Sequence, residues 1–250
     1  PEYFLKNSRL NARLAAMVQD AFVTTLQKSD KISCISSGMA RHLGRHLVSK
    51  DKIHIIRNGI AQQHHRTVNT LIPERQKIFF VGSLYAKAEW NALVGALESV
   101  NFRISDKNID LVHIGQFPRT GAKCNINIRF LGYLPNEEIL RMINSSDIGY
   151  VPYWLDSDKK SIVETSFPGK ISTYIMSGCK VFFHGPKKST VADFLNNYSV
   201  GICCASHDTS DIVNSLSNLI YMEIDQVALK EAKYALSIDK MAADFMRFVS

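Results

Sequence analysis

The stretch FPGK at 167–170 brings together residue types that favour a bound anion. Proline suits the first turn of a helix, because its fixed φ matches the helix and its missing N–H is not needed there. Gly169 leaves the backbone bare where unpaired N–H groups point outward, and Lys170 adds a cation beside them. Together these describe an anion seat at a helix start. The apolar positions of that helix read Ile171, Tyr174, Ile175 and Gly178, a spacing that turns Lys170 away from the core. A lysine in a first turn is otherwise electrostatically unfavourable. A bound anion therefore explains the position better than a solvated surface lysine.

The elements that must carry this seat follow from periodicity. Residues 7–29 repeat apolar side chains at spacings of three and four, which predicts a helix. KISCIS (31–36) and KIHII (52–56) read as strands around a helix at 38–47, and the polar stretch 58–76 reads as a linker. Strands are then expected at 77–82, 109–115, 127–132, 147–153, 180–185 and 200–204, alternating with helices. Apolar strands alternating with helices predict an α/β fold, a doubly wound parallel sheet covered on both faces. Ligands of such sheets bind beyond the carboxyl ends of the strands. The loops to watch are therefore GSLYAK (82–87), GQFPRTG (115–121), GYLPNE (132–137), 152–170 and HGPKKST (184–190). Several start at a glycine, Gly82 and Gly115 among them, where backbone either approaches a ligand or turns sharply. The charged segment WLDSDKKSIVE (154–164) suits a mobile lid.

Composition narrows the classes further. The chain has 250 residues, 46% of them hydrophobic, enough for one large core or two modest ones. Its formal charge of +7 arises from 30 Lys and Arg against 23 Asp and Glu, which favours anionic partners. The cations are scattered, so a nucleic-acid footprint is not expected. Five cysteines show no CxxC spacing, and Cys34, Cys179, Cys203 and Cys204 lie in apolar runs as buried thiols. Reduced thiols fit a cytoplasmic protein. His64–His65 lack further ligands and His207 only approaches Cys204, so no metal site is expected. His113 and His184 end apolar strands and read as structural. No run of 18 apolar residues and no signal-peptide pattern is present, and Pro1 in place of an initiator Met reads as a fragment or processed product. The first helix, with Lys6, Arg9 and Arg13 beside apolar residues, reads as a domain-packing element, with a membrane-facing role as the alternative.

In their order along the chain, ISCISSGMARHL, KIHIIRNGI, KIFFVGSLYAK, LVHIG, NIRFLGYLPNEEILRMINSSDIGYVPY and ETSFPGKISTYIMSGCKVFFHG resemble the glycosyltransferases of GT-B fold. The resemblance is to the retaining family of bacterial polysaccharide-assembling enzymes and covers residues 31 to about 204. It implies the Rossmann-like, nucleotide-sugar-binding half of a GT-B fold plus the remnant of a first domain. The expected division is 1–66 for the remnant and linker, 67–230 for the donor domain and 231–250 for a helix crossing back.

The same resemblance assigns roles. Lys170 and Lys87 neutralise the diphosphate, with Ser83 standing where the family often has Arg. Glu164 matches the first Glu of a paired-Glu pattern near the transferred sugar, while Thr173 falls where the second Glu would hold the ribose. Tyr133 and Leu134 flank the base, Tyr153 and Trp154 wall the sugar or diphosphate, and Gly82, Ser83, Gly115, Phe167, Pro168 and Gly169 complete the donor site. The implied activity is sugar transfer from a nucleoside diphosphate sugar, UDP- or GDP-linked, to a saccharide or lipid-linked saccharide. No cofactor or metal is expected, the location is cytoplasmic, and peripheral contact with the inner membrane face stays open as an alternative. A non-catalytic partner subunit and a sugar-nucleotide epimerase remain open as alternatives.

Overall fold

The computed structural model describes residues 11–61, 74–116, 126–143 and 147–250. The expected boundary near 67, Cys124, His64–His65 and most of the 115–121 loop lie outside them. The first unit holds helix α1 (Ala12–Lys28), strand β1 (Ile32–Cys34), helix α2 (Ser37–Leu43) and strand β2 (Ile53–Ile55). Asn11 and Ser36 cap the two helices, each accepting a backbone N–H three residues on. β1 and β2 pair in parallel, and Leu26, Ile32, Cys34 and Leu43 form a small core beneath them.

The larger unit is a seven-stranded sheet. Its strands are β3 (Arg75–Val81), β4 (Arg103–Ile104), β5 (Lys107–Ile114), β6 (Ile128–Phe130), β7 (Ile148–Pro152), β8 (Lys180–His184) and β9 (Gly201–Cys204). Across the sheet the parallel strands run β6-β5-β3-β7-β8-β9, so in chain order the pattern is 3-2-1-4-5-6 with a switch point between β3 and β7. Among the described residues β4 is the one antiparallel strand of this sheet, a two-residue pairing with the start of β5 that periodicity does not signal.

The helices are α3 (Lys87–Ser99), α4 (Asn136–Met142), α5 (Lys160–Thr165), α6 (Gly169–Met176), α7 (Thr190–Tyr198), α8 (Thr209–Tyr221), α9 (Gln226–Ala235) and α10 (Ile238–Val249). Alternate strand residues feed two cores. Ile78, Phe80, Ile148, Tyr150 and Phe182 meet α3 and α8 on one face. Phe79, Val151, Val181 and Phe183 meet α6, α7 and α9 on the other. The expected doubly wound architecture is present. Within the segment 154–164, expected as a lid loop, Ser157–Lys159 forms a 3-10 turn and α5 follows, so half of that segment is helix.

The two units are joined tightly. Ser36 Oγ donates to the Thr165 carbonyl, and Gly38 N–H donates to Thr190 Oγ1 at 3.1 Å. Thr190 Oγ1 in turn donates to the Glu164 carbonyl at 2.9 Å. α10 returns to the first unit, where Lys31 Nζ donates to the Phe248 carbonyl at 2.9 Å and His54 packs edge-on against Phe248.

At the switch point β3 pairs with β7 only through Ile78 and Phe79, while it pairs with β5 along its whole length. The Tyr174 hydroxyl fills the gap. It donates to the Phe79 carbonyl at 3.0 Å and accepts the Val81 N–H at 2.9 Å. Its ring lies against Gly149, where a Cβ would sit 2.2 Å from a ring carbon. Tyr174→Phe should lose about 1–3 kcal/mol by leaving two buried backbone groups unpaired. Gly149→Ala should lose at least as much through overpacking. Urea unfolding with an unchanged m-value checks both.

Candidate functional site

α6 is anchored by Tyr174, and Lys170 lies four residues earlier on the same helix face. The expectation that Lys170 turns away from the core is therefore corrected. Its aliphatic stem follows the Tyr174 face inward. The ammonium lies 4.4 Å from the centre of the Phe80 ring and 5.1 Å from that of Tyr85. Its Nζ is buried and has no hydrogen-bond partner among the described residues. Burial lowers its pKa from the ordinary lysine value to about 8. A buried, unpaired ammonium is unfavourable unless something anionic completes it.

Backbone shapes the other side of this seat. Gly82, at the end of β3, has φ +109°, and a Cβ there would lie 3.7 Å from Lys170 Nζ. Its carbonyl accepts from His113 Nε2 at 3.0 Å, which assigns the ring proton to Nε2. Burial, with the Lys170 charge nearby, pushes the His113 pKa down, so the ring stays neutral. Gly115, at the end of β5, has φ +146°, and a Cβ there would fall 2.5 Å from the Gly82 carbonyl oxygen. Gly115 is thus required by the close approach of the two strand ends, and Gly82 by its left-handed backbone.

The α6 start differs in detail from expectation. Pro168 is the N-cap, with φ −73° and ψ 137°, and Gly169 is the first helical residue. A Cβ on Gly169 would meet nothing within 4 Å, so this end opens onto free space. Phe167 points elsewhere, packing edge-on against Phe194 with the Arg57 guanidinium over its ring. Thr173 is half-buried in the same helix.

Aromatic residues wall the crevice. Tyr153 is buried, stacks with Trp154 and tilts against Tyr85. Its pKa is pushed up to about 12, chiefly by burial. Trp154 Nε1–H donates to the Tyr85 carbonyl at 3.2 Å. Tyr133 stands 77% exposed beside Gly132, and Leu134 packs partly into the core. Ser83 is exposed next to Gly82. Lys87 is exposed at the first position of α3. Glu164 belongs to α5 rather than a loop, with its carboxylate 3.9 Å from Lys160 Nζ.

Sequence reasoning did not single out Tyr85, or Glu89, which is buried in the first turn of α3. It read His113 and His184 as structural. His184 fits that reading, since its Nε2 bonds the Ser206 carbonyl and its Nδ1 bonds Tyr150. Cys34, Cys179 and Cys204 are buried and Cys203 is half-buried, and none of the four forms a disulfide among the described residues.

No family model and no curated protein sequence matches this chain. Solved structures do. The lipopolysaccharide outer core galactosyltransferase WaaB superposes with TM-score 0.60 at 14% identity, over 88% of this chain and 62% of its own. WaaG, a glycosyltransferase involved in lipopolysaccharide biosynthesis, gives 0.60 at 15% identity, over 99% and 70%. Anabaena HepE, solved in complex with UDP and glucose, gives 0.63 at 10% identity, over 96% and 67%. The chain has the GT-B glycosyltransferase fold. It spans 62% of the WaaB chain, so it corresponds to part of such a GT-B protein. Within that GT-B frame the Lys170 seat lies at the carboxyl ends of β3 and β5, beside the switch point.

The Lys170 pKa has a consequence for stability. A lysine whose folded pKa falls below its unfolded one binds fewer protons when folded, so stability rises with pH between the two values. The penalty is full below about pH 8 and is relieved between there and 10.5. Lys170→Met should therefore stabilise the ligand-free protein at pH 7 by about 1–3 kcal/mol, and by little above pH 10. Thermal melts of both proteins across that range check the sign.

Proposed function

We propose that this chain is the donor-binding part of a glycosyltransferase, taking a sugar from a nucleoside diphosphate sugar to a saccharide or lipid-linked saccharide acceptor. The observation that carries this reading is the buried, unpaired Lys170 ammonium at the open start of α6, beside the switch point of the sheet. The net charge of +7 agrees with an anionic ligand. The fold shared with WaaB, WaaG and HepE supplies the general class: WaaB and WaaG are glycosyltransferases of lipopolysaccharide, and HepE holds UDP and glucose. The alternatives of a partner subunit and an epimerase gain nothing from these comparisons.

In this reading the diphosphate sits between Lys170 and the first N–H groups of α6. Charge growing on the departing diphosphate is then met by a cation already desolvated and fixed, so little reorganisation is needed as the bond breaks. This local positive charge does the work a divalent metal would otherwise do. Lys87, exposed at the rim, adds long-range attraction. Tyr133 offers a face for the base, with Leu134 behind it. Tyr153 and Trp154 bound the sugar end, and Thr173 gives the ribose a hydroxyl in place of a carboxylate. Glu164 lies toward the first unit, where it stabilises positive character on the sugar or holds a hydroxyl. A cytoplasmic location at the inner membrane face suits a lipid-linked acceptor, and no helix among the described residues is long and apolar enough to cross a membrane.

Calorimetric titration with UDP, GDP, dTDP and ADP tests the reading. One of them should bind at micromolar strength. Lys170→Ala should weaken it at least tenfold, the loss of one charge-assisted contact of roughly 1.5–3 kcal/mol. A folded chain that binds none, or a variant that binds as well as the wild type, would contradict it.

A further inference from the structure

The helix that carries Glu164 is rooted in its own unit by one fully buried side chain. Of the six residues of α5 only Val163 is buried, and the helix packs against α2 and α7. Its position is fixed instead at its carboxyl end. The last carbonyls of a helix have no partner within that helix. Here the Thr165 carbonyl accepts from Ser36 Oγ, and the Glu164 carbonyl accepts from Thr190 Oγ1 at 2.9 Å. Ser36 caps α2 of the first unit, and Thr190 is the first residue of α7 on the sheet. The end of α5 is therefore a junction of both units.

Thr190 serves this junction twice with one hydroxyl. Its proton goes to the Glu164 carbonyl, and a lone pair takes the Gly38 N–H at 3.1 Å. Thr190 is 1% exposed and Gly38 is buried, so water offers no substitute for either bond. A Cβ on Gly38 would fall 1.8 Å from the Glu164 carbonyl oxygen and 2.4 Å from Thr190 Oγ1. Backbone of the first unit thus lies directly on the backbone of Glu164, with no side chain between them to absorb a shift. The Glu164 carboxylate is held much more loosely. Its side chain is 34% exposed, and Lys160 Nζ, 3.9 Å away, belongs to a side chain 69% exposed. Such a surface pair fixes little.

We propose that Thr190 is a positioning residue of the donor site. Through Gly38 it seats the Glu164 backbone on the first unit, and so holds the Glu164 carboxylate at the sugar of a nucleotide sugar. The sugar half of this statement rests on the donor-site reading above. The junction of Ser36, Gly38 and Thr190 with α5 does not.

Two measurements on the whole chain separate them. Hydrogen exchange of the ligand-free protein reads the junction. Thr190→Val keeps the side-chain shape and removes both bonds. It should speed exchange of the Gly38 and α5 amides about tenfold beyond any change in β3, which reports global opening. Thr190→Ser, which keeps the hydroxyl, should stay near the wild type. Exchange at Gly38 and α5 that Thr190→Val leaves unchanged overturns the junction.

Calorimetric titration with UDP-glucose and UDP reads the consequence; GDP-mannose and GDP replace them if that is the pair the protein binds. Thr190→Val should lower the preference for the sugar nucleotide over the bare diphosphate about fivefold, roughly the worth of one hydrogen bond. Thr190→Ser should restore it. Glu164→Gln should lower the same preference, and adding Thr190→Val to it should cost nothing further, because both act through one carboxylate. Equal weakening of both ligands by Thr190→Val, or additive losses in the double variant, would show a purely structural role and overturn the proposal. A Glu164→Gln protein that keeps the wild-type preference overturns it as well. If Thr190→Val does not fold, Ser36→Ala acts on the same end of α5 through the Thr165 carbonyl and carries the same expectations. If neither UDP-glucose nor GDP-mannose binds the wild type, the donor-site reading falls, and the positioning role falls with it whatever the exchange shows.

Discussion

The Tyr174 hydroxyl, inserted between the Phe79 carbonyl and the Val81 N–H, is the contact on which the geometry of this molecule turns. A doubly wound sheet must part where its strand order reverses, and parting leaves backbone groups unpaired in the interior. Here one phenol satisfies both groups and at the same time fixes the helix that carries it. Gly149 on β7 admits the ring, and Tyr174 is fully buried. Because α6 cannot slide or turn without breaking those bonds, every side chain on its inner face has a set destination.

Lys170 inherits its position from that constraint. One helical turn before Tyr174, it is carried to the end of β3, where Gly82 leaves room and Phe80 and Tyr85 offer aromatic faces. Cation–π contact offsets part of the desolvation but supplies no hydrogen bond. The site therefore holds uncompensated positive charge in a place shaped by rigid strand ends and bounded by aromatic walls. Such an arrangement is poor for stability and well suited to a polyanionic ligand. The same tension appears at Glu89, where a buried carboxylate spans loops instead of saturating its own hydrogen-bonding capacity.

Much of the fold was legible in the sequence. Runs such as KIFFVG and KVFFHG are apolar because both faces of the sheet are covered, and the glycines after β3 and β5 mark the strand ends that meet at the seat. The helix start at Pro168–Lys170 was legible from residue types alone. The inward direction of Lys170 was not, because the apolar face was counted without allowing a lysine stem to share it with Tyr174. Helix α5 was obscured by the charges of Lys159 and Lys160, and β4 by its two-residue length. Glu89 gave no signal, since an acidic residue in a first helical turn reads as a dipole partner on the surface. Only the tertiary fold brings the Leu155 N–H and His207 to it.

The central claim is that Lys170 is a desolvated cation awaiting an anion. An NMR titration of the lysine side chains, with Lys170 assigned by substitution and repeated with pyrophosphate, tests it most directly. The account predicts a Lys170 midpoint at about 8 in the free protein, moved upward when pyrophosphate binds. A midpoint in the ordinary lysine range that pyrophosphate leaves unchanged would contradict it.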